Sequence, residues 1–346
     1  MVDLVELIRK NWFLGGVLCC IFLAEINPEL GARGGPLKPE ITIKYLTVSL
    51  IFFISGLSLR TSELTNAIYQ VKLHCFIQVF TMILIPILML LLVKCLSVFK
   101  VNEWILKGLL TVSCMPPPVS SAVILTRTVG GNEAAAIFNS ALGSLLGVIV
   151  TPLTLLYFLG MSTLVPLSNC MFQLATTVLI PLVLGQSARQ FEFIGLRKIL
   201  QFSAPIGQIS LLFIIYSTFC DTFAAKEESG MNAEDVLSTL VIVLGVQIFL
   251  LYLAFAVASR FGEWFSPSDV VTILFCATHK SLTLGIPMLR ILFGGYSHLA
   301  QISLPLLIYH PTQILLGGML ATQLGPWLRH TRSRYHLPQS IRSRNH

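Results

Sequence analysis

Ten apolar stretches dominate this chain, at roughly 11–27, 41–59, 73–98, 104–127, 133–160, 165–187, 203–224, 235–258, 268–293 and 298–324. A helix needs about 20 residues to cross a hydrocarbon layer about 30 Å thick. Backbone in lipid has no water to satisfy it, so runs of this kind are helices. The short alternating segments of a membrane barrel do not occur. Charged residues make up 11% of the chain and hydrophobic ones 55%, whereas about a quarter of a soluble domain is charged. The expected fold is an all-α membrane protein of ten transmembrane helices, with membrane lipid as its solvent and partner.

The chain divides into a transmembrane region over 1–328 and a basic tail over 329–346, expected to be polar and disordered. Five stretches fall in each half, about 1–160 and 165–328. An odd number of spans per half inverts the second half against the first. With the N-terminus in the cytoplasm, 14 Lys and Arg residues lie on the cytoplasmic side and 8 on the other, leaving Lys280 inside a span. The positive-inside rule therefore puts both termini in the cytoplasm. That topology and anionic lipid account for the net charge of +7, so no nucleic-acid partner is expected. The eight cysteines lie in or beside apolar runs without metal-ligand spacing. Met1–Lys10 does not read as a cleavable leader. No nucleophile elbow, P-loop or His-Glu-x-x-His motif points to an enzyme or an ATP-driven pump, and no cofactor is implied.

Two stretches are interrupted. The fourth contains Pro116, Pro117 and Pro118, followed by Val119, Ser120 and Ser121. Each proline removes a donor and blocks the preceding turn, so three in a row unwind a helix. Irregular backbone at membrane depth is tolerated where it is buried or lines a cavity. The freed carbonyls, with the two serine hydroxyls, would form a polar site. The ninth stretch carries Thr278, His279, Lys280 and Ser281 in mid-span, with Gly285 and Pro287 offering a place to break. A lysine at that depth is costly and usually functional, although it can also snorkel to an interface. His279 either works with it or satisfies a neighbouring carbonyl. The interruptions lie about 162 residues apart, at corresponding places in the two halves. Paired broken helices in inverted halves point to a transporter binding site.

Other polar residues at depth are Gln78, Asn139, Ser140, Asp221 and His310. Asn132, Ala136, Asn139 and Ser140 share one helical face and either line a cavity or hold helices together. The small residues Gly143, Ser144 and Gly147 suit close helix packing. Glu133 suits a helix start, Asp221 reads as a solvated span end, and His310 as a partner for a carbonyl freed by Pro311.

Several motifs resemble the bile acid:sodium symporter superfamily, solute carrier family 10. They are GPLKPE at 35–40, SGLSL at 55–59, CMPPPVSSAVILT at 114–126, GGNEAAAIFNS at 130–140, THKSLTLGIPM at 278–288 and LLIYHPTQILL at 306–316. The resemblance implies panel and core domains, with discontinuous helices four and nine crossed in the core. It implies sodium sites at that crossing and a small-molecule solute. Carried over by motif, the superfamily's serine and asparagine after the first break fall on Ser120, Ser121 or Ala122, and its hydroxyl pair on Ala136 and Ser140. The acidic sodium ligand falls on Phe275, and the glutamine-asparagine pair on His279 and Lys280. A phenyl ring and an ammonium thus stand where sodium would want oxygens. Lys280 is therefore expected to stand in for a bound cation, with its proton or that of His279 available for coupling. The branch resembled is linked to calcium homeostasis and to glycosylation and trafficking, at the plasma membrane, endoplasmic reticulum and Golgi. The expected function is secondary transport of a small organic anion coupled to Na+ or H+. The alternative is a non-transporting regulator acting on calcium-entry machinery.

Overall fold

The computed structural model describes residues 12–58, 69–99, 101–118, 121–159, 172, 175–190, 196–224, 233–293 and 298–335. Regular structure among the described residues is entirely helical. The main helices are α1 (Trp12–Ile26), α2 (Val48–Ser58), α3 (Val71–Phe99), α4 (Glu103–Cys114), α5 (Ser121–Val129) and α6 (Glu133–Leu159). There follow α7 (Ile180–Gln190), α8 (Leu196–Ala224), α9 (Ala233–Arg260), α10 (Pro267–Thr278), α11 (Leu282–Phe293) and α12 (Leu299–Tyr335).

Among the described residues, five stretches are long and apolar enough to cross a membrane: Val71–Phe99, Glu133–Phe158, Glu234–Arg260, Pro267–Phe293 and Leu299–Arg332. Gly15–Ile26 and Pro205–Asp221 are apolar but shorter. The protein is a multi-pass helical membrane protein. Its five long stretches are not equivalent. The most apolar window of Pro267–Phe293 is 94% buried, against 28–44% in the other four. The stretch carrying the His-Lys pair is thus wrapped by other helices. The outer faces of α3, α6 and α9 show Ile83, Leu91, Ile149, Val241 and Phe249 outward, as lipid requires.

Both interruptions occur as backbone breaks, the first after Cys114 and the second at His279–Ser281. Gly285 and Pro287 do not break the second; both lie inside α11. A side chain at Gly285 would run into Leu306 at 2.4 Å and the Met115 sulfur at 2.9 Å, so this glycine serves close packing.

Small residues set the closest helix contacts. An added Cβ at Gly56 would lie 2.1 Å from Leu182 O, and one at Gly185 2.1 Å from Phe53 O. The α2 and α7 backbones therefore touch through reciprocal glycines. On α6, a Cβ at Gly143 would meet Pro117 Cγ and one at Gly147 would meet Pro116 Cγ, each at 2.6 Å. The proline-rich break is seated on the small-residue face of α6.

Polar ties close two other places. Asp221, expected to be solvated, is instead mostly buried; it pairs with Arg290 on α11 and accepts from Arg33 N at 2.6 Å. Arg290 also donates to Ser217 Oγ at 2.8 Å, and Ser217 donates to Gly31 O at 2.6 Å. Elsewhere Glu133 begins α6 and pairs with Arg127. Asn132, rather than continuing the α6 face, caps that helix by accepting from Ala135 N at 3.1 Å. Residues 329–335, expected to be disordered, continue α12. There Arg332 donates to Ser268 Oγ at 2.6 Å and Gly130 O at 2.9 Å. Residues 336–346 lie outside the described residues.

Candidate functional site

Three consecutive prolines withdraw the donors that Val112, Ser113 and Cys114 would meet one turn on. Buried carbonyls must find substitutes. Val112 O takes Met115 N at 3.1 Å. Cys114 O takes Thr151 Oγ1 from α6 at 2.9 Å. Ser113 O and Met115 O each accept from Lys280 Nζ at 2.9 Å. Pro116 O accepts from Ser281 N at 2.9 Å. The freed carbonyls named here are thus satisfied by the chain's own groups, and two of the donors come from the second break.

A third helix completes the surroundings of Lys280. Phe80–Leu84 of α3 forms a π turn in which Ile85 N donates to Phe80 O. Thr81 O then lacks its usual donor, and the residue five places on is Pro86, which has none to give. Lys280 Nζ donates to Thr81 O at 2.9 Å and lies 3.0 Å from Thr81 Oγ1. Local π geometry is common at functional sites.

The backbone of the second break is held from α12 and α9. Lys280 N donates to Gln313 Oε1 at 2.8 Å, and Gln313 Nε2 donates to Lys280 O at 3.0 Å. Tyr309 Oη donates to Thr278 O at 2.8 Å, and Gln247 Nε2 to Tyr309 O at 2.7 Å. Gln313 Nε2 also lies 3.0 Å from His310 Nδ1, so His310 belongs to this set.

The junction brings Pro116, Pro117, Ser121, His279, Lys280 and Ser281 into one neighbourhood. Ser121 opens α5 with its Oγ 3.5 Å from His279 Nδ1. Ser281 Oγ accepts from Leu284 N at 3.3 Å, at the start of α11. Thr278 Oγ1 is spent on Leu274 O at 2.6 Å. The Phe275 and His279 rings meet edge to face, with centroids 5.5 Å apart; the position where the resemblance implies a carboxylate carries no oxygen and no charge. Asn139 joins α6 to α3 through Nδ2 and His74 Nδ1 at 2.8 Å, while Gln78 Nε2 donates to Asn139 O at 3.0 Å. Ser140 is buried beside the Cys276 thiol, without a nitrogen or oxygen partner among the described residues. Ser120 lies outside the described residues. A cleft of about 470 Å³ lined by Tyr69, Gln70, Lys72, Trp264 and Asp269 opens at the start of α10, the end remote from the junction.

Reading the residues one at a time misses Thr81, Tyr309, Gln247 and Gln313. Thr81 and Gln247 each interrupt an apolar run, Tyr309 and Gln313 flank His310 and Pro311 in the motif at 306–316, and Pro86 marks the π turn, so the signal was present but divided among three helices.

The family model of the SBF-like CPA transporter family matches residues 11–325. The chain belongs to this family. Sodium/bile acid cotransporter 7-B of Xenopus laevis is 52% identical over 332 residues, covering 94% of this chain and 95% of the relative. Sodium/bile acid cotransporter 7 of Danio rerio is also 52% identical over 332 residues, covering 94% and 97%. Solute carrier RCH1 of Saccharomyces cerevisiae is 23% identical over 378 residues, covering 94% and 86%. In this member of the SBF-like CPA transporter family the matched region contains both breaks and each residue that closes around Lys280.

Proposed function

We propose that this protein is a secondary active transporter for a small organic anion, with its solute site at the junction of α4–α5 and α10–α11. The observation that carries this reading is the contact between the breaks, in which Ser281 N donates to Pro116 O at 2.9 Å. Two helices that lose regular backbone at membrane depth and meet there supply dipole ends and a position that either side of the protein can uncover in turn. The halves also match in local geometry. α4 and α10 are each 12 residues long, and their chains leave at φ −72° ψ 143° and φ −74° ψ 146°. That match supports a ten-span fold of two inverted five-span halves, with crossed helices in a core domain beside a panel domain and both termini in the cytoplasm.

An anion is favoured by the charge of Lys280 and by α5 and α11, whose N-terminal ends begin at the junction and carry partial positive charge. Among the described residues, His279 Nε2 and Gln78 Oε1 are buried without hydrogen-bond partners and Ser140 Oγ without a nitrogen or oxygen partner, and they suit a solute's polar groups. We assign solute or ion contact to Ser120, Ser121, Ser140, His279 and Ser281, while Asn139, Thr278 and Lys280, whose side chains are engaged within the chain, hold the junction around them. Sodium, which appears in the relatives' names, or a proton drives the cycle. At the cell scale this reading connects transport with calcium homeostasis and secretory-pathway glycosylation.

Purified protein in liposomes tests it. A panel of labelled small organic anions is offered under an imposed sodium or proton gradient. Gradient-dependent uptake of at least one anion, reduced at least about tenfold by His279→Ala in a folded variant, is expected; loss of one good hydrogen bond to charge is worth that much. A folded protein that takes up none of them under either gradient is a non-transporting regulator, and the proposal falls.

A further inference from the structure

We propose that Lys280 is a built-in monovalent cation, filling an oxygen cage that would otherwise take a dissolved ion of ammonium's size. This rests on reading the junction as the binding centre. Among the described residues, four oxygens surround Nζ at 2.9–3.0 Å: Thr81 O, Thr81 Oγ1, Ser113 O and Met115 O. No carboxylate is among them. Three are carbonyls, which only accept. A neutral amine has two protons to give and an ammonium has three, so these contacts fit the charged side chain.

The cage carries negative potential without formal charge. Ser113 and Met115 stand at the C-terminal end of α4, the negative end of its dipole. Thr81 O is exposed by the π turn of α3. Carbonyls of interrupted helices are the groups that hold alkali ions in channels and transporters. The spacing suits a cation of ammonium's size rather than calcium or magnesium, whose oxygens lie at about 2.3–2.6 Å and about 2.0–2.1 Å. Lys280 is fully buried and its backbone is pinned on both sides by Gln313. The ion is therefore tethered. It places the positive charge of the junction on the chain itself, and a cation tied to the chain cannot be exchanged across the membrane as a coupling ion.

The test is binding, read as thermal melting of purified protein in detergent with chloride salts of ammonium, methylammonium, potassium, lithium and choline. Lys280→Ala opens the cage. It is expected to gain a saturable rise on the order of 5 °C in ammonium, methylammonium or potassium at roughly a hundredfold excess over Kd, and none in choline. Lys280→Met keeps the volume filled with apolar atoms and should melt low in all salts. Thr81→Val added to Lys280→Ala should weaken the response by removing one oxygen. Wild type should show no cation-specific shift. A saturable shift in wild type that Thr81→Val abolishes means that a dissolved ion uses the cage and overturns the proposal. So does a Lys280→Ala protein that is indifferent to cation, or one that aggregates in every salt. Recovery of an otherwise aggregating Lys280→Ala by methylammonium supports it. No gradient or solute enters the measurement. Rescue without transport leaves the tethered cation standing and removes the transporter reading, whereas transport without rescue does the reverse.

Discussion

At the scale of single residues, Gln313 shows how a break in a buried helix is kept from unravelling. One primary amide accepts from Lys280 N and donates to Lys280 O, so it substitutes for both neighbours that an intact helix would supply. Leaving a buried backbone group unpaired costs about 1–3 kcal/mol. Gln313→Leu should therefore lower the melting temperature clearly more than Tyr309→Phe, which strands Thr278 O alone. Equal shifts in a detergent melting series would mean that another group takes over the Lys280 backbone. The sequence marks Lys280 and His279 because charge at depth is rare, and it marks the prolines because three stand together. It does not mark the partners. Carbonyls have no letter of their own, and Gln313 reads as one member of the polar cluster at 309–313, with no role of its own, until Lys280 is known to lie against it. Asp221 was misread for the same reason. Its partners Arg290 and the Arg33 backbone are 69 and 188 residues away in the chain.

At the scale of elements, the proline break and the small face of α6 are one device. Pro116 and Pro117 lie against Gly147 and Gly143, and Thr151 from the same helix takes Cys114 O. The small-residue spacing on α6 was legible as a packing face, whereas its occupant was not, because no periodicity says which neighbour a groove receives. Gly143→Ala and Gly147→Ala bring Cβ to 2.6 Å from a proline ring, so both should lower stability by the roughly 1–3 kcal/mol typical of overpacking. Gly245→Ala, with nothing within 4 Å, should be neutral or slightly stabilising, since alanine is the better helix former. Yield and melting temperature in detergent separate the two classes. The contact between α2 and α7 should be less forgiving, because Gly56→Ala meets a carbonyl oxygen of the backbone at 2.1 Å rather than a ring that can tilt. The position of the second break teaches a related lesson. Gly285 and Pro287 invited it, yet α11 runs through both, because the backbone groups at 279–281 are met by Gln313, Pro116 O and the Ser281 cap while Gly285 is needed for contact with Met115 and Leu306.

At the scale of the molecule, the buried half-helices are tied to their surroundings at places away from the junction. Arg332 links α12 to the ends of α5 and α10. Asp221 and Arg290 link α8 to α11, and Arg33 and Ser217 draw the loop after α1 into the same cluster. A transporter that alternates access must let some such ties open, and the Asp221–Arg290 pair is the one joined directly to α11, the half-helix that begins two residues after Lys280. Its side chains are only 8% and 15% exposed. Removing one partner of so buried a pair costs about 3–5 kcal/mol, whereas replacing both with apolar residues is often close to neutral. Asp221→Leu alone and Arg290→Met alone should therefore each lower the melting temperature strongly, and the double variant should recover most of the loss. If the pair is also a tie that opens during the cycle, the recovered double variant will differ from wild type in the rate of uptake under a gradient while matching it in stability. A double variant as unstable as the sum of the singles would assign the stability to Arg33 and Ser217 instead, and an unchanged uptake rate would make the pair a fixed strut that α11 never leaves.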